Sequence, residues 1–197
     1  LINANAPVTI NAATLTSTLT NTGVSKVYDG DTSAPSGFTP TYSFSGLVSG
    51  DTAATLSNTG ALYNDKDVLD ANKVTVSGLS LSGISGSNSS ATTDYVLDAT
   101  SKDVSAAITR KTVSLSASKT YDGSTSLTGA VTLATGISGE ALNYSGAVAN
   151  DAHVATTGKY INAITLADGT GSASNYQLPS LINANAPVTI NAATLTS

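Results

Sequence analysis

Hydrophobic and polar residues alternate along much of the chain with the two-residue period of a β-strand. Val74 and Val76 alternate with polar neighbours, and Leu79 and Leu81 continue the alternation in a shifted phase. The shift falls at Gly78, which predicts a β-bulge or a sharp bend at that residue. The same alternation occurs at Val113, Leu115 and Ala117, at Val131 and Leu133, and at Ile164 and Leu166.

Residue usage supports the same interpretation. Thr, Val, Ile and Tyr favour strands, while Gly, Asn, Asp and Ser, which favour turns, recur every eight to twelve residues. Only residues 65–73 and 150–159 could hold a helical turn or two. The pattern therefore predicts an all-β or mainly β protein.

The chain contains an exact repeat. Residues 1–17 and residues 181–197 are identical at every position, at a spacing of 180 residues. Chance does not produce such a match, and a duplication engineered at the two ends is the less favoured explanation. We therefore expect the chain to be a piece of a longer tandem array whose period is 180 residues.

A weaker repeat divides that period into two modules. The segment that begins at Lys26 matches the segment that begins at Lys119, and a motif that begins at Ile10 returns at Ile108 and Ile190. We predict the following organisation: residues 1–13 end a preceding module, residues 14–110 form module 1, residues 112–192 form module 2, and residues 193–197 start the next module. Modules this small have small cores, so we expect them to stack end to end as an elongated rod.

Composition narrows the class of protein. Only 11% of the residues are charged, against about 25% in an ordinary domain, whereas 30 Thr and 28 Ser are present. The net charge of −5 argues against a nucleic-acid partner. The chain has no Cys, which excludes disulfides and thiolate metal sites, and no apolar run long enough to predict membrane insertion.

The Tyr-Asp-Gly triplet is the sharpest local motif. It occurs as Lys26, Tyr28, Asp29 and Gly30 in module 1 and returns in module 2 as Lys119, Tyr121, Asp122 and Gly123. Asp-Gly is a strong turn signal, and Tyr brings a large ring and a hydroxyl that can anchor a loop. We interpret the motif as structural; the alternative is a ligand site in which Tyr28, Asp29, Tyr121 and Asp122 contact a sugar.

Candidate chemistry elsewhere is sparse. Asp65, Asp67 and Asp70 are weak candidates for a calcium site, but the stretch lacks the Gly and the closing Glu of an EF-hand loop. His153 is the only histidine and Glu140 the only glutamate, and no nucleophile-elbow or phosphate-loop motif is present. We therefore expect no enzyme activity and no cofactor, with calcium as the one ion that could bind.

The motifs together resemble a known family. Lys-x-Tyr-Asp-Gly-x-Thr-Ser, a Ser-Gly-(Asp or Glu) turn, an Asn-Asp loop and a closing (Asp or Asn)-Tyr-x-Leu are similar to the YDG-type repeats of large bacterial surface adhesins. Such repeats occur in filamentous-haemagglutinin-like exoproteins of two-partner secretion systems and are related to the β-grasp-like MBG modules. The resemblance implies a β-grasp-like module, with an immunoglobulin-like sandwich as the alternative.

The resemblance also implies a function. The expected role is a structural stalk or spacer in a secreted adhesin, attached to the bacterial outer membrane, that mediates cell adhesion, aggregation or biofilm formation. The expected partners are the neighbouring repeats of the same chain, with polysaccharide or a cell surface bound through other regions; the piece itself is expected to be a monomer. The alternative is a glycan-binding module that acts by multivalency.

Overall fold

The computed structural model describes residues 7–195, which divide into two compact units. Among the described residues, unit 1 comprises residues 7–25, 32–65 and 71–107; unit 2 comprises residues 26–31, 66–70 and 108–195. The short segments 26–31 and 66–70 are therefore part of unit 2, although they lie in the sequence of module 1.

Nine strands fall in the first part of the chain. They are β1 (Ala13–Leu19), β2 (Val24–Val27), β3 (Tyr42–Ser45), β4 (Asp51–Ser57), β5 (Gly60–Tyr63), β6 (Lys73–Ser77), β7 (Ser80–Gly86), β8 (Tyr95–Leu97) and β9 (Ser101–Thr109). They form three sheets, with the orders β3-β1-β8, β2-β9-β6-β5 and β4-β7. Strand β1 is antiparallel to β3 and parallel to β8.

Seven strands follow. They are β10 (Lys111–Thr112), β11 (Ser114–Thr120), β12 (Val131–Ala134), β13 (Asn143–Ala149), β14 (Ile161–Ala167), β15 (Tyr176–Gln177) and β16 (Val188–Asn191). The sheets are β12-β11-β16, β13-β14 and β10-β15. Strands β10 and β11 together repeat the pairings of β1, because β11 is antiparallel to β12 and β10 is parallel to β15.

The all-β prediction is confirmed. Residues 7–195 contain no α-helix, and the only helical elements among them are the 3₁₀ turns Thr92–Asp94 and Ala173–Asn175. The two segments that could have held helical turns are loops, each with a single hydrogen-bonded turn: Asp70 N donates to Asp67 O, and Thr156 N donates to His153 O.

The strand cores follow the predicted alternation. In unit 1, Val74 and Val76 are fully buried on one face of β6, and Leu79 is buried beyond the bend. Gly78 has a φ of +64° between β6 and β7, so the predicted bend is present and passes the chain from one sheet to another. In unit 2, the buried core includes Val113, Leu115, Ala117, Leu127, Ile161 and Ile164. Each large side chain buried in this way contributes about 1.5–3 kcal/mol.

The two copies of the 17-residue repeat have different structures. Val188 and Ile190 are 6% and 4% exposed in β16, which is parallel to β11. Their counterparts Val8 and Ile10 are 83% and 91% exposed and lie outside any strand. The second half of the repeat behaves in the opposite way: Leu15 is buried in β1 whereas its counterpart Leu195 is exposed. The same sequence therefore supplies strand β16 from its first half in the second copy and strand β1 from its second half in the first copy.

Candidate functional site

The two Tyr-Asp-Gly loops are held by the same set of polar contacts. Lys26 Nζ lies 2.6 Å from Asp29 Oδ1, and Lys119 Nζ lies 2.7 Å from Asp122 Oδ1. Each lysine side chain is largely buried, while each aspartate is exposed. The lysine therefore ties the loop to the strand that precedes it.

Each aspartate also closes the turn. Asp29 Oδ1 accepts from Asp31 N at 3.2 Å, and Asp122 Oδ1 accepts from Ser124 N at 2.9 Å. The glycine that follows each aspartate has a positive φ, as the turn signal predicts. The hydrogen bond from Lys119, together with that from Ser124, lowers the pKa of Asp122 to about 2. These contacts support the structural interpretation of the motif.

The tyrosine of the first loop is buried in unit 2 against the only glutamate. Tyr28 is 1% exposed, and its hydroxyl donates to Glu140 Oε1 at 2.6 Å. Tyr176 donates to the other oxygen, Oε2, also at 2.6 Å. The two rings meet edge to face with centroids 5.4 Å apart, a favourable aromatic geometry. We call these three residues the Glu140 cluster.

Burial and the Glu140 carboxylate together set the pKa values of the two phenols in this cluster. Burial, and after it the hydrogen bond to Glu140, raises the pKa of Tyr28, and the same two causes raise the pKa of Tyr176. Lys66 Nζ lies 3.5 Å from the Tyr28 hydroxyl and opposes the rise in the Tyr28 pKa. Both phenols are therefore protonated donors at neutral pH, which suits a structural anchor.

The tyrosine of the second loop is in a different environment. Tyr121 is 37% exposed, and its ring stacks on the imidazole of His153 with centroids 6.4 Å apart. The main-chain contacts of the two tyrosines are nevertheless equivalent. Tyr28 N donates to Thr109 O and Tyr121 N donates to Asn191 O, both at 2.8 Å. The two loops thus share a backbone setting and differ in what surrounds the ring.

Unit 1 contains a smaller version of the Glu140 cluster. Tyr95 donates to Asp51 Oδ2 at 2.5 Å, and Ser90 donates to the same oxygen at 2.7 Å. The hydrogen bond from Tyr95, followed by that from Ser90, lowers the pKa of Asp51. Asp51 and Glu140 each close a Ser-Gly-(Asp or Glu) turn, and Tyr95 and Tyr176 each belong to the closing (Asp or Asn)-Tyr-x-Leu motif. The sequence held both signals, but nothing in it indicated that the acid and the tyrosine meet.

The predicted acidic stretch lies in the loop after β5. Asp65 precedes Asp67 and Asp70 in this loop, and one carboxylate oxygen of Asp67 lies within 4.8 Å of one of Asp70. Asp67 Oδ1 accepts from Asn175 Nδ2 at 2.7 Å and pairs with Lys66 at 3.2 Å. Those two contacts, of which the Asn175 hydrogen bond is the larger, lower the pKa of Asp67. Asp67 thus has protein partners, and calcium binding stays a prediction.

Comparison with known proteins identifies one domain type. Residues 9–103 match the family model described as YDG domain, so this part of the chain carries a YDG-type domain. The match covers the first Tyr-Asp-Gly loop, Asp51 and Tyr95. No curated protein and no solved structure matched the chain. Within residues 7–195, none of the helical elements has the length and apolar character needed to cross a bilayer.

Proposed function

We propose that this chain is part of the stalk of a secreted bacterial adhesin, in which YDG-type modules act as a structural spacer at the cell surface. In such a stalk the modules stack end to end, attach to the outer membrane through other regions of the parent protein, and serve adhesion, aggregation or biofilm formation. The filamentous-haemagglutinin-like, two-partner secretion setting belongs to the same proposal.

One observation supports the proposal most strongly: the two halves of the repeated 17-residue segment form strands in different modules. Its first half, seen as Val188–Asn191, is the strand β16 that closes a sheet of unit 2. Its second half, seen as Ala13–Leu19, is the strand β1 that begins a sheet of unit 1. A segment that ends one module and starts the next without a linker is what a continuous array of modules requires.

Small-angle X-ray scattering tests the spacer. We expect the 197-residue chain to give the pair-distance distribution of an elongated monomer. A chain that joins residues 1–180 to a second complete copy should have a maximum dimension close to twice as large. A compact profile for either chain, or no growth in maximum dimension on duplication, would contradict the spacer function.

The glycan-binding alternative is supported by a single feature. Stacking on a sugar requires an exposed ring, and Tyr121 offers one whereas Tyr28 is buried. A glycan array probed with the chain tests this function: binding that Tyr121→Ala abolishes and Tyr28→Phe retains would support it. An array without signal would contradict the glycan-binding function and would leave the spacer function as the proposal.

A further inference from the structure

Unit 1 holds a buried carboxylate oxygen that lacks the donor its counterpart has. In the Glu140 cluster, Oε2 accepts from Tyr176 and Oε1 accepts from Tyr28. In unit 1, Asp51 Oδ2 accepts from Tyr95, whereas Oδ1 is buried and no donor within residues 7–195 reaches it with hydrogen-bond geometry. The nearby Asn88 side chain is the weakest of the groups that lower the pKa of Asp51. Asp51 is only 9% exposed. A buried acceptor without a donor is unfavourable, so a donor is expected in the functional assembly.

Unit 1 also has a groove whose wall residue Val48 is hydrogen-bonded to the partner of this carboxylate, Tyr95. The groove has a volume of about 390 Å³, and it is lined by Ile10, Asn11, Ala12, Ala13, Val48, Thr93 and Asp94. Val48 N donates to the Tyr95 hydroxyl at 2.9 Å, which connects the groove wall to the Asp51–Tyr95 pair. Asp94 directly precedes Tyr95 in the chain.

The counterparts of the groove residues show what fills such a groove. The Ile10 motif corresponds to the motif that begins at Ile108, and in unit 2 Thr109 O accepts from Tyr28 N. Asn175 corresponds to Asp94, and its side-chain oxygen accepts from Val68 N at 2.9 Å. Gly30 lies against Ile137 in the same region. In unit 2 the equivalent space is therefore filled by a Tyr-Asp-Gly loop and by the loop at residues 66–70.

The exposed segment that contains Val8 and Ile10 indicates the same occupant. Val8 and Ile10 are exposed, whereas the identical Val188 and Ile190 are buried against β11, with Ala117 opposite Val188 and Lys119 opposite Ile190. In its second copy the repeated segment is thus covered by strand β11. That strand leads directly into the Tyr-Asp-Gly loop at Lys119, Tyr121 and Asp122.

We propose that the groove of unit 1 is the docking site for the Tyr-Asp-Gly loop of a second copy of this repeat, whose Tyr121 hydroxyl donates to Asp51 Oδ1. Tyr121 is available for this contact, because it is 37% exposed whereas Tyr28 in its filled groove is 1% exposed. The inference rests on the proposed spacer function and names the contact that joins successive repeats. Tyr28 with Glu140 and Tyr121 with Asp51 would then alternate along the array.

The test uses the duplicated chain, residues 1–180 followed by a complete second copy. Tyr121 of the first copy faces the groove of the second, while Tyr121 of the second copy faces no further groove. The two copies give identical peptides, so Tyr121→Phe is introduced into one copy at a time. The Tyr121 of the remaining copy is then nitrated with tetranitromethane, and mass spectrometry measures its nitration rate. We expect nitration of the first-copy Tyr121 to be about tenfold slower, as a hydrogen bond to a carboxylate predicts. Equal rates would overturn the proposal.

A second pair of variants tests the acceptor. Asp51→Asn in the second copy should raise the nitration rate of the first-copy Tyr121 several-fold, since the amide removes the charge that holds the phenol. Asp51→Asn in the first copy is the matched control and should leave that rate unchanged. Circular dichroism checks that both variants are folded, and equal effects of the two would overturn the role of Asp51. Scattering keeps the two proposals apart: an elongated duplicated chain with equal nitration rates retains the spacer and rejects this contact.

Discussion

Tyr28 donates its hydroxyl to Glu140 at 2.6 Å, across 112 positions of the sequence. The contact joins a Tyr-Asp-Gly loop to a turn that follows β12, and both belong to unit 2. Because one carboxylate accepts from two phenols, the geometry of the Glu140 cluster fixes the positions of three segments at once. The Tyr-Asp-Gly loop at Tyr28 is thus anchored in the core of unit 2.

Tyr28→Phe should destabilise unit 2 by about 1–3 kcal/mol, because it keeps the ring and removes a hydrogen bond to a charged group. Tyr121→Phe is the matched control, since it alters the same motif position at an exposed ring. Its effect should be within about 0.5 kcal/mol. Hydrogen exchange of the amides in β11 to β14 reports the stability of unit 2. Equal effects of the two variants would show that the hydroxyl of Tyr28 is not the anchor.

Alkaline pH should destabilise unit 2 through the same cluster. The pKa values of Tyr28 and Tyr176 are raised by burial first and by Glu140 next. Unfolded tyrosines ionise near pH 10, whereas the folded ones retain their protons, so stability is complete below pH 10 and declines as the pH rises above it. The pKa values of Tyr42 and Tyr95 in unit 1 are also raised, so unit 1 should lose stability over the same pH range, whatever the variant of the cluster.

Glu140→Gln separates the carboxylate from burial as the cause. Removing the negative charge should lower the pKa of both phenols, while burial keeps each above its ordinary value. Absorbance at 295 nm during a titration, compared with the Tyr28→Phe and Tyr176→Phe variants, measures the change. Asp103→Asn is a suitable control, because that carboxylate contacts Lys73 and Thr75 and neither phenol. A titration of the Glu140→Gln chain that matches the unaltered chain would contradict the assignment.

The strands were predictable from sequence, and the Glu140 cluster was not. The alternation of buried and polar side chains at Val74 and Val76 follows from the two-residue period of a strand, which is visible within a few residues of sequence. The partner of Tyr28 depends on which distant turn reaches it. The sequence marked Glu140 as the one glutamate and as the end of a Ser-Gly-(Asp or Glu) turn, but not as the partner of a tyrosine. The same limit applies to the repeat: its identity was visible, but the opposite behaviour of Val8 and Val188 follows from the neighbours that each copy has.

Gly78→Ala should be strongly destabilising, and Gly23→Ala is its matched control. The two glycines have nearly the same positive φ, +64° and +65°, so an alanine incurs a similar backbone penalty of about 1–2 kcal/mol at either site. A Cβ at Gly78 would also lie less than 3.0 Å from the Thr59 side chain, whereas a Cβ at Gly23 meets nothing within 4 Å. Urea denaturation should therefore show a larger loss for Gly78→Ala. Equal losses would mean that Thr59 moves aside without cost.

Lys119→Met should raise the pKa of Asp122 from about 2 towards its ordinary value, because the hydrogen bond from Lys119 is the largest cause of the depression. The value should stay below about 3.9, since Ser124 still donates to the carboxylate. A folded pKa below the unfolded one stabilises the protein above about pH 4, and this stability is lost as the pH falls towards 2. The variant should therefore lose less stability over that range. Carbon-detected NMR titration measures the pKa, with Asp151 as an internal reference because its main donor is His153 N. An Asp122 that still titrates near 2 in the variant would assign the depression to the turn itself rather than to the lysine.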